Sequence, residues 1–242
     1  MPNLVFYYFD FPFWRAEVCR LALHLGGVRI TITTCMIYMY LQDLIQLPVL
    51  VYTSNLVFNI QVEFEDKRVD FKTFKELGKA PFGQAPILEV DGKVISQTGA
   101  IARYCGKQGG LYPRDDDFAA AKIDELIDTA TDITCLIGPT MRMAEEEKLE
   151  ARKKLAEDKI PMYLAALEAI MIANGSTGFF VGDKMTIADI ALWRLFGWLK
   201  GGNLDGLPTD LIDKHPLLLK SFNDIDTHPQ IKSWMDSHYA KK

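Results

Sequence analysis

Residues 84–104 read QAPILEVDGKVISQTGAIARY, and this stretch decides how the first half of the chain folds. Ile87 to Val90 and Val94-Ile95 are two short apolar runs joined by Asp91-Gly92. An Asp-Gly pair between such runs predicts a hairpin with a type I′ turn, whose two central residues need positive φ. Thr98 then opens a helix over 98–104, because a hydroxyl at that point can satisfy free backbone N–H groups. Just upstream, Pro81 and Pro86 stiffen residues 81–86 into a rigid loop.

Towards the N-terminus, Leu4 to Tyr8 is an apolar, aromatic run that reads as a buried strand. Asp10 to Phe13 is a loop. Trp14 to Leu25 places Val18, Leu21, Ala22 and Leu25 on one helical face, and Gly26-Gly27 stops it. Glu63 to Val69 predicts a strand, and Phe71 to Leu77 a short helix ended by Gly78. With residues 28–61 set aside, the order is βαβαββα. That is the pattern of a small mixed sheet with helices on its faces, a thioredoxin-like α/β domain.

Towards the C-terminus, Gly106 to Arg114 is a Gly/Pro-containing linker, and every later segment has helical spacing. Helices are expected over 116–137, over 145–173 with a kink or break at Pro161, and over 186–199. The last of these is apolar almost all round, as a central core helix should be. Shorter helices follow at 209–214, 216–227 and 229–239. The expected organisation is a thioredoxin-like domain at 1–105, a linker at 106–114 and an all-helical domain at 115–242, an α/β plus all-α chain.

The 242 residues are 49% apolar and 24% charged, which excludes a disordered chain and a disulfide-stapled miniprotein. A net charge of −5 disfavours nucleic acid as the main partner. An anionic ligand would need a local positive patch. Cys19, Cys35, Cys105 and Cys135 have neither zinc-site nor disulfide spacing, so free thiols in a reducing cytoplasm are expected, with no metal. The N-terminal apolar run lacks a basic leader and soon meets Asp10, unlike a signal peptide.

This organisation resembles the cytosolic glutathione transferases, and the motifs fall in the family's order. Tyr8-Phe9-Asp10 followed by Arg15-Ala16-Glu17 is similar to the tyrosine-type start, with a sigma-like class the best match. Gln84-Ala85-Pro86 resembles the loop with a cis-proline before the third strand. Ser96-Gln97-Thr98 with Ala100-Ile101 and Arg103-Tyr104 resembles the signature that opens the third helix. Ile123-Asp124 is similar to the acidic site that reaches the partner subunit's glutathione. Thr186-Ile187-Ala188-Asp189 resembles the capping motif of the core helix. The resemblance implies glutathione as co-substrate, a homodimer, a role in detoxification, and a binding set of Tyr8, Arg15, Lys79, Gln84, Ala85, Pro86, Gln97, Thr98 and Asp124. Its alternatives are a sigma-type glutathione-dependent isomerase and a non-catalytic binding or structural relative.

The chemistry asks for these residue types. A free thiol has a pKa near 8.5, so little of it is thiolate at neutral pH. A hydroxyl donating to the sulfur favours the ionised form. Tyr8 stands at the carboxyl end of the first strand, where ligands of such sheets bind. Tyr7 and Tyr8 face opposite sides by strand alternation, so only one of them can serve. Arg15 can support the sulfur or the tyrosine electrostatically. Thr98, at a helix start, and Gln97 beside it can take a carboxylate. The backbone of Ala85 can pair with a tripeptide like an added strand. Asp124 can meet an ammonium, or else belong with Asp128 and Asp132 to a solvated stripe. Phe13, Trp14, Ile137 and Met141 are the expected apolar lining for a small electrophile between the domains. Asp189 is expected to serve the fold, through a capping box with Thr186, and not the chemistry. A glutaredoxin-like function would need a cysteine at the start of the first helix, and Asp10 to Arg15 has none.

Val28 to Gln61 stands apart. Only Arg29 and Asp43 are charged in these 34 residues, while the other 208 carry 57 of the 59 charges. Three readings are open: a membrane-associated segment, an evolved insertion with a partner, and a translated intron. The longest uncharged run, Leu44 to Val62, contains Gln46, Pro48, Ser54, Asn55 and Asn59 and makes a poor membrane span. A window beginning at a Val codon (GT) and ending at a Gln codon (CAG) suits intron ends. Joining Gly27 to Val62 gives an uninterrupted family-like sequence. The segment is apolar and β-branched, an aggregation hazard.

Overall fold

A computed structural model describes residues 2–33 and 55–239, with 27–33 and 55–61 described as backbone. The middle of the apolar window, with Cys35, Asp43 and most of the uncharged run, lies outside the described residues. Four strands form the main sheet: β1 (Leu4–Tyr8), β4 (Glu65–Arg68), β5 (Ile87–Val90) and β6 (Lys93–Ser96), in the order β4-β1-β5-β6. β4 runs parallel to β1 with Tyr8 opposite Arg68, and β5 runs antiparallel with Tyr7 opposite Ile87. Asp91 and Gly92 both take positive φ, 47° and 81°, the backbone that a type I′ turn between β5 and β6 requires.

Alternation along β1 divides its side chains between two cores. Leu4, Phe6 and Tyr8 join the large core, while Val5 and Tyr7 pack with Phe74 and Ile87 on the other face. That second face is covered by α2 (Phe71–Glu76), whose N-cap Asp70 accepts from the Thr73 N–H. The first face is covered by α1 (Trp14–Leu25) and α3 (Thr98–Gly109). These two helices touch through glycine: a Cβ on Gly26 would fall 2.1 Å from the Gly109 Cα, and one on Gly109 would fall 1.9 Å from the Ala22 carbonyl oxygen. No side chain fits at either position.

The helical half contains α4 (Asp117–Ile137), α5 (Glu145–Glu157), α6 (Lys159–Ala173), α7 (Ile187–Lys200), α8 (Pro216–Asp226) and α9 (Pro229–Tyr239), with 3₁₀ turns at Gly138–Arg142 and Leu211–Lys214. α7 is the central helix, burying ten of its residues, and it packs against α1 and α4. Its start carries the expected capping box. Asp189 Oδ2 accepts from the Thr186 N–H at 2.7 Å, and Asp189 Oδ1 accepts from the Phe180 N–H at 2.9 Å. Trp14 Nε1 donates to Thr134 Oγ1 at 2.8 Å, joining α1 to α4 within the core.

Several boundaries differ from the sequence reading. α3 continues to Gly109 and ends in a left-handed Gly110, so the linker is shorter than 106–114. The apolar and charged spacing gave no warning of this, because Gly106 and Gly109 are buried where helices meet. The break expected at Pro161 falls three residues earlier, at Asp158, because Pro161 has no N–H for the Glu157 carbonyl four residues back and its ring would clash with it in a continuous helix. The ends of the apolar window form β2 (Gly27–Thr33) and β3 (Asn55–Gln61), a two-stranded antiparallel ladder separate from the main sheet. Gly27 pairs with Gln61, so the window leaves and re-enters the domain at one place. That place lies before β4, at the end of the sheet away from Tyr8. Among the described residues no helix is long and apolar enough to cross a membrane.

Candidate active site

A cleft of about 460 Å³ opens between the two halves. The first turn of α1 supplies Arg15. The loop before β5 supplies Phe82, Gln84, Ala85 and Pro86, with a cis peptide bond between Ala85 and Pro86. The turn from β6 into α3 supplies Ser96, Gln97, Thr98, Gly99, Ala100 and Arg103, and α4 supplies Asp128, Thr131 and Cys135. Of the nine residues expected in the binding set, the structure brings Arg15, Gln84, Ala85, Pro86, Gln97 and Thr98 to this one cleft.

The start of α3 is shaped for an anion. The N-cap is Gln97 and not Thr98, and no side chain caps the first turn. Its N–H groups and the positive helix end therefore point at the cleft without an internal acceptor from a side chain. Gln97 itself holds φ 74° and ψ 124°, a backbone that a residue with a Cβ adopts at a cost of about 1–3 kcal/mol. The Ser96 hydroxyl is buried beside it without a hydrogen-bond partner. The charged groups of the cleft are two cations, Arg15 and Arg103, and one carboxylate, Asp128.

Tyr8 and Tyr7 are both buried in β1, on opposite faces. Tyr8 lies on the α1 face, and the guanidinium of Arg20 sits 5.9 Å from its ring centre. Burial pushes the Tyr8 phenol up to about 12, with the positive charges of Arg15 and Arg20 pulling the other way. Tyr8 therefore stays protonated throughout the physiological range, and it lies behind the cleft and not among its lining residues. Tyr7 lies on the α2 face, where its hydroxyl accepts from Lys79 Nζ at 3.4 Å.

Lys79 and Asp124 have partners of their own. Lys79 pairs with Glu89 at 2.5 Å and does not line the cleft. Asp124 is held by Arg103 at 2.9 Å and by the Tyr112 hydroxyl at 3.1 Å. It thereby orients a cation that does line the cleft. Arg103, Asp128, Thr131 and Cys135 were missed as cleft residues. The signal was present: 124, 128, 131 and 135 fall on one helical face. Only the packing of α4 beside α3 turns that face to the cleft.

The expected electrophile lining needs correction. Trp14 and Ile137 are fully buried members of the core and line no open surface. Phe13 packs edge-on against Trp198 at 5.2 Å, and Met141 is exposed, with its sulfur accepting from Arg152. Cys19 is buried in α1, where loss of solvent holds its thiol well above the usual range, so it is no thiolate nucleophile. Among the described residues no cluster of His, Cys, Asp or Glu is placed to hold a metal ion.

Residues 39–107 match the glutathione S-transferase N-terminal domain, and residues 132–238 match the glutathione S-transferase C-terminal domain. Glutathione S-transferase 2 of Manduca sexta is 33% identical over 188 residues, covering 74% of this chain and 87% of that protein. Hematopoietic prostaglandin D synthase of Gallus gallus is 31% identical over 237 residues, covering 97% and 96%. The solved structure of prostaglandin synthase D of Nilaparvata lugens superposes with a TM-score of 0.72 at 25% identity, covering 99% of this chain and all of that one.

Proposed function

Since this chain belongs to the glutathione S-transferase family, we propose that it joins the sulfur of glutathione to small apolar electrophiles, with Tyr8 as the hydrogen-bond donor to the thiolate. The observation that carries this reading is the charge pattern of the cleft. Glutathione brings two carboxylates and one ammonium, and the cleft offers two guanidinium groups, one carboxylate and an uncapped helix start. Gln97, Thr98 and the first turn of α3 take one carboxylate, with Arg103 beside them. Asp128 is placed for the ammonium. Ala85, at the head of β5, pairs its backbone with the tripeptide as an added strand would.

Tyr8 donates its proton towards the sulfur and does not give it up, because its own pKa lies near 12. Each unit by which the bound thiol's pKa falls corresponds to about 1.4 kcal/mol of preference for the thiolate. Arg15 adds positive charge on the same side of the sheet. Lys79, held by Glu89 and the Tyr7 hydroxyl outside the cleft, makes no direct contact with the ligand in this reading. The same thiolate serves a glutathione-dependent isomerisation, and the chicken prostaglandin D synthase relative, aligned over nearly the whole chain, favours that second reading for the physiological substrate. The protein is proposed to act in the cytoplasm, in detoxification, as a homodimer in which Asp124 and its neighbours on α4 approach the partner.

Conjugation of glutathione to an activated aryl halide tests the reading. Activity that falls about 10- to 100-fold in Tyr8→Phe, the worth of a hydrogen bond to a charged group, supports it. A wild-type chain that binds glutathione without turnover supports a binding module instead.

A further inference from the structure

A line of alternating charges runs inward beside Tyr8. Asp10, in the loop after β1, pairs with Arg68 at 2.8 Å, and Arg68 pairs with Asp66 at 2.8 Å. Asp66 pairs with Arg20 at 3.0 Å, and Arg20 pairs with Glu17 at 2.9 Å. The last two side chains are fully buried. The C-terminal helix closes the line. The Tyr239 hydroxyl donates to Glu17 Oε1 at 2.6 Å and accepts from Arg20 Nη1 at 2.8 Å, while Trp234 Nε1 donates to Glu17 Oε2 at 2.9 Å. A buried ion pair is often neutral for stability, because desolvation offsets its attraction. Its placement here has another consequence. The Arg20 guanidinium lies 5.9 Å from the centre of the Tyr8 ring, and its Nη2 donates to the Phe9 carbonyl at 3.4 Å.

We propose that Arg20 is a positioning residue for the thiolate chemistry: fixed by Glu17, Asp66 and the Tyr239 hydroxyl, it anchors the end of β1 and strengthens Tyr8 as a donor. The C-terminal helix thereby takes part in setting the reactivity of a site it does not line. This rests on the reading of Tyr8 given above.

The groups that face this cluster are Arg15 and Cys19 from α1, Asp66 and Arg68 from β4, Asp10 from the loop, Arg194 and, through it, Asp226 from the central helices, and Tyr239 from α9. Among them Arg15 and Arg20 favour ionisation of Tyr8, and Glu17 and Cys19 oppose it. Arg15 faces the cleft, whereas Arg20 is fully buried, where water does not screen it but its partners Glu17 and Asp66 offset part of its charge.

The test is the pKa of the glutathione thiol bound to the full chain, read from thiolate absorbance and from the pH profile of kcat/KM with an aryl halide. The paired change Glu17→Gln with Arg20→Gln removes both charges and leaves neither buried alone. It is expected to raise the bound thiol's pKa by about 0.5–1 unit, which lowers the rate about 3- to 10-fold on the acid side and little above the thiol's pKa. Arg20→Lys keeps the charge but not the fork that reaches Asp66, Glu17 and the Phe9 carbonyl together, and its profile is expected to fall between those of the wild type and the paired variant. Tyr239→Phe, which buries no unpaired charge, is expected to move the profile in the same direction by less, and it decides the matter if the paired variant fails to fold. An unchanged bound-thiol pKa in the paired variant, or in Tyr239→Phe where the paired variant does not fold, overturns the proposal even with a lower Tm. So does Arg20→Lys behaving like the paired variant. Tyr8→Phe separates the two readings. If it leaves the thiol's pKa unmoved, the role of Tyr8 fails; if it raises it while the Arg20 variants do not, only the role of Arg20 fails.

Discussion

Trp14 and Thr134, 120 residues apart, share one buried hydrogen bond of 2.8 Å from the indole N–H to the hydroxyl. It ties the helix that starts beside the cleft to the long helix that forms its far wall. Thr134 also donates to the Ala130 carbonyl, so its oxygen is held in place for the indole. Thr134→Val keeps the shape and orphans the Trp14 N–H. A loss of about 1–3 kcal/mol is expected, the desolvation penalty of an unpaired buried donor. Denaturant unfolding measures it, and Thr134→Ser should recover most of it. Equal stability of Thr134→Val and the wild type would mean that the indole finds another partner.

The two tyrosines of β1 should separate cleanly. Tyr7 faces the α2 side with Lys79, and Tyr8 faces the side of Arg15 and Arg20. Tyr7→Phe is expected to keep kcat within about 3-fold, since only the hydroxyl's contacts with Lys79 and Glu89, away from the cleft, are lost. The pH profile carries a second sign. With Tyr8 protonated to about 12, the rate should rise once with pH as the thiol ionises and show no falling limb from the tyrosine below pH 10 or so. A descending limb near neutrality that vanishes in Tyr8→Phe would contradict the donor role.

Asp189 supplies a pH signature in stability. Burial raises its pKa from the ordinary carboxylate range to about 6, against the backbone hydrogen bonds that pull it down. A folded pKa above the unfolded one means that the native state binds more protons. The contribution of Asp189 is therefore complete below about pH 4 and declines as the pH rises through 6. Asp189→Asn, which cannot ionise, should cost most at pH 4 and progressively less towards pH 7. Tm of both proteins across that range checks it. Asp189→Ala removes the acceptor for two backbone N–H groups and should lower refolding yield without changing the glutathione dissociation constant.

Removal of residues 28–61 is expected to leave the enzyme intact. Gly27 and Gln61 are paired neighbours, so Gly27 and Val62 can be joined without moving α1 or β4. The junction is at the far end of the sheet from Tyr8. Glutathione affinity should change by less than about 2-fold, because the junction lies at the end of the sheet away from Tyr8. Solubility should improve, since an apolar, nearly uncharged segment is removed. Equal solubility and equal Tm for the two chains would show that the segment packs usefully. Sequencing of the mature transcript separates a retained intron from an evolved insertion.

Arg103 should act mainly on binding. Its guanidinium lines the cleft and is steadied by Asp124. Arg103→Gln is expected to raise KM for glutathione about 5- to 10-fold with a smaller effect on kcat, and the effect should shrink at high salt because the pair is partly exposed. A fall in kcat at unchanged KM would place Arg103 in the chemistry.

Local signals in the chain determined local structure. Asp91-Gly92 specified its turn because glycine and aspartate tolerate positive φ. Thr186 and Asp189 specified their helix start because their hydrogen bonds close within four residues. The apolar spacing of α1 and α4 set which faces were buried, and the motif order placed Gln84, Ala85, Pro86, Gln97 and Thr98 together. Tertiary structure alone decided which cations meet them. Lys79 turns to Glu89 and Tyr7, Asp124 turns to Arg103 and Tyr112, and Asp128 takes the open position in the cleft. It also decided that Glu17 and Arg20 are buried against Tyr239, more than 200 residues away. The physical reason is range. Turns, caps and amphipathic faces are fixed by interactions within a few residues, whereas the partner of a charged side chain depends on how distant elements pack and on how much water they exclude.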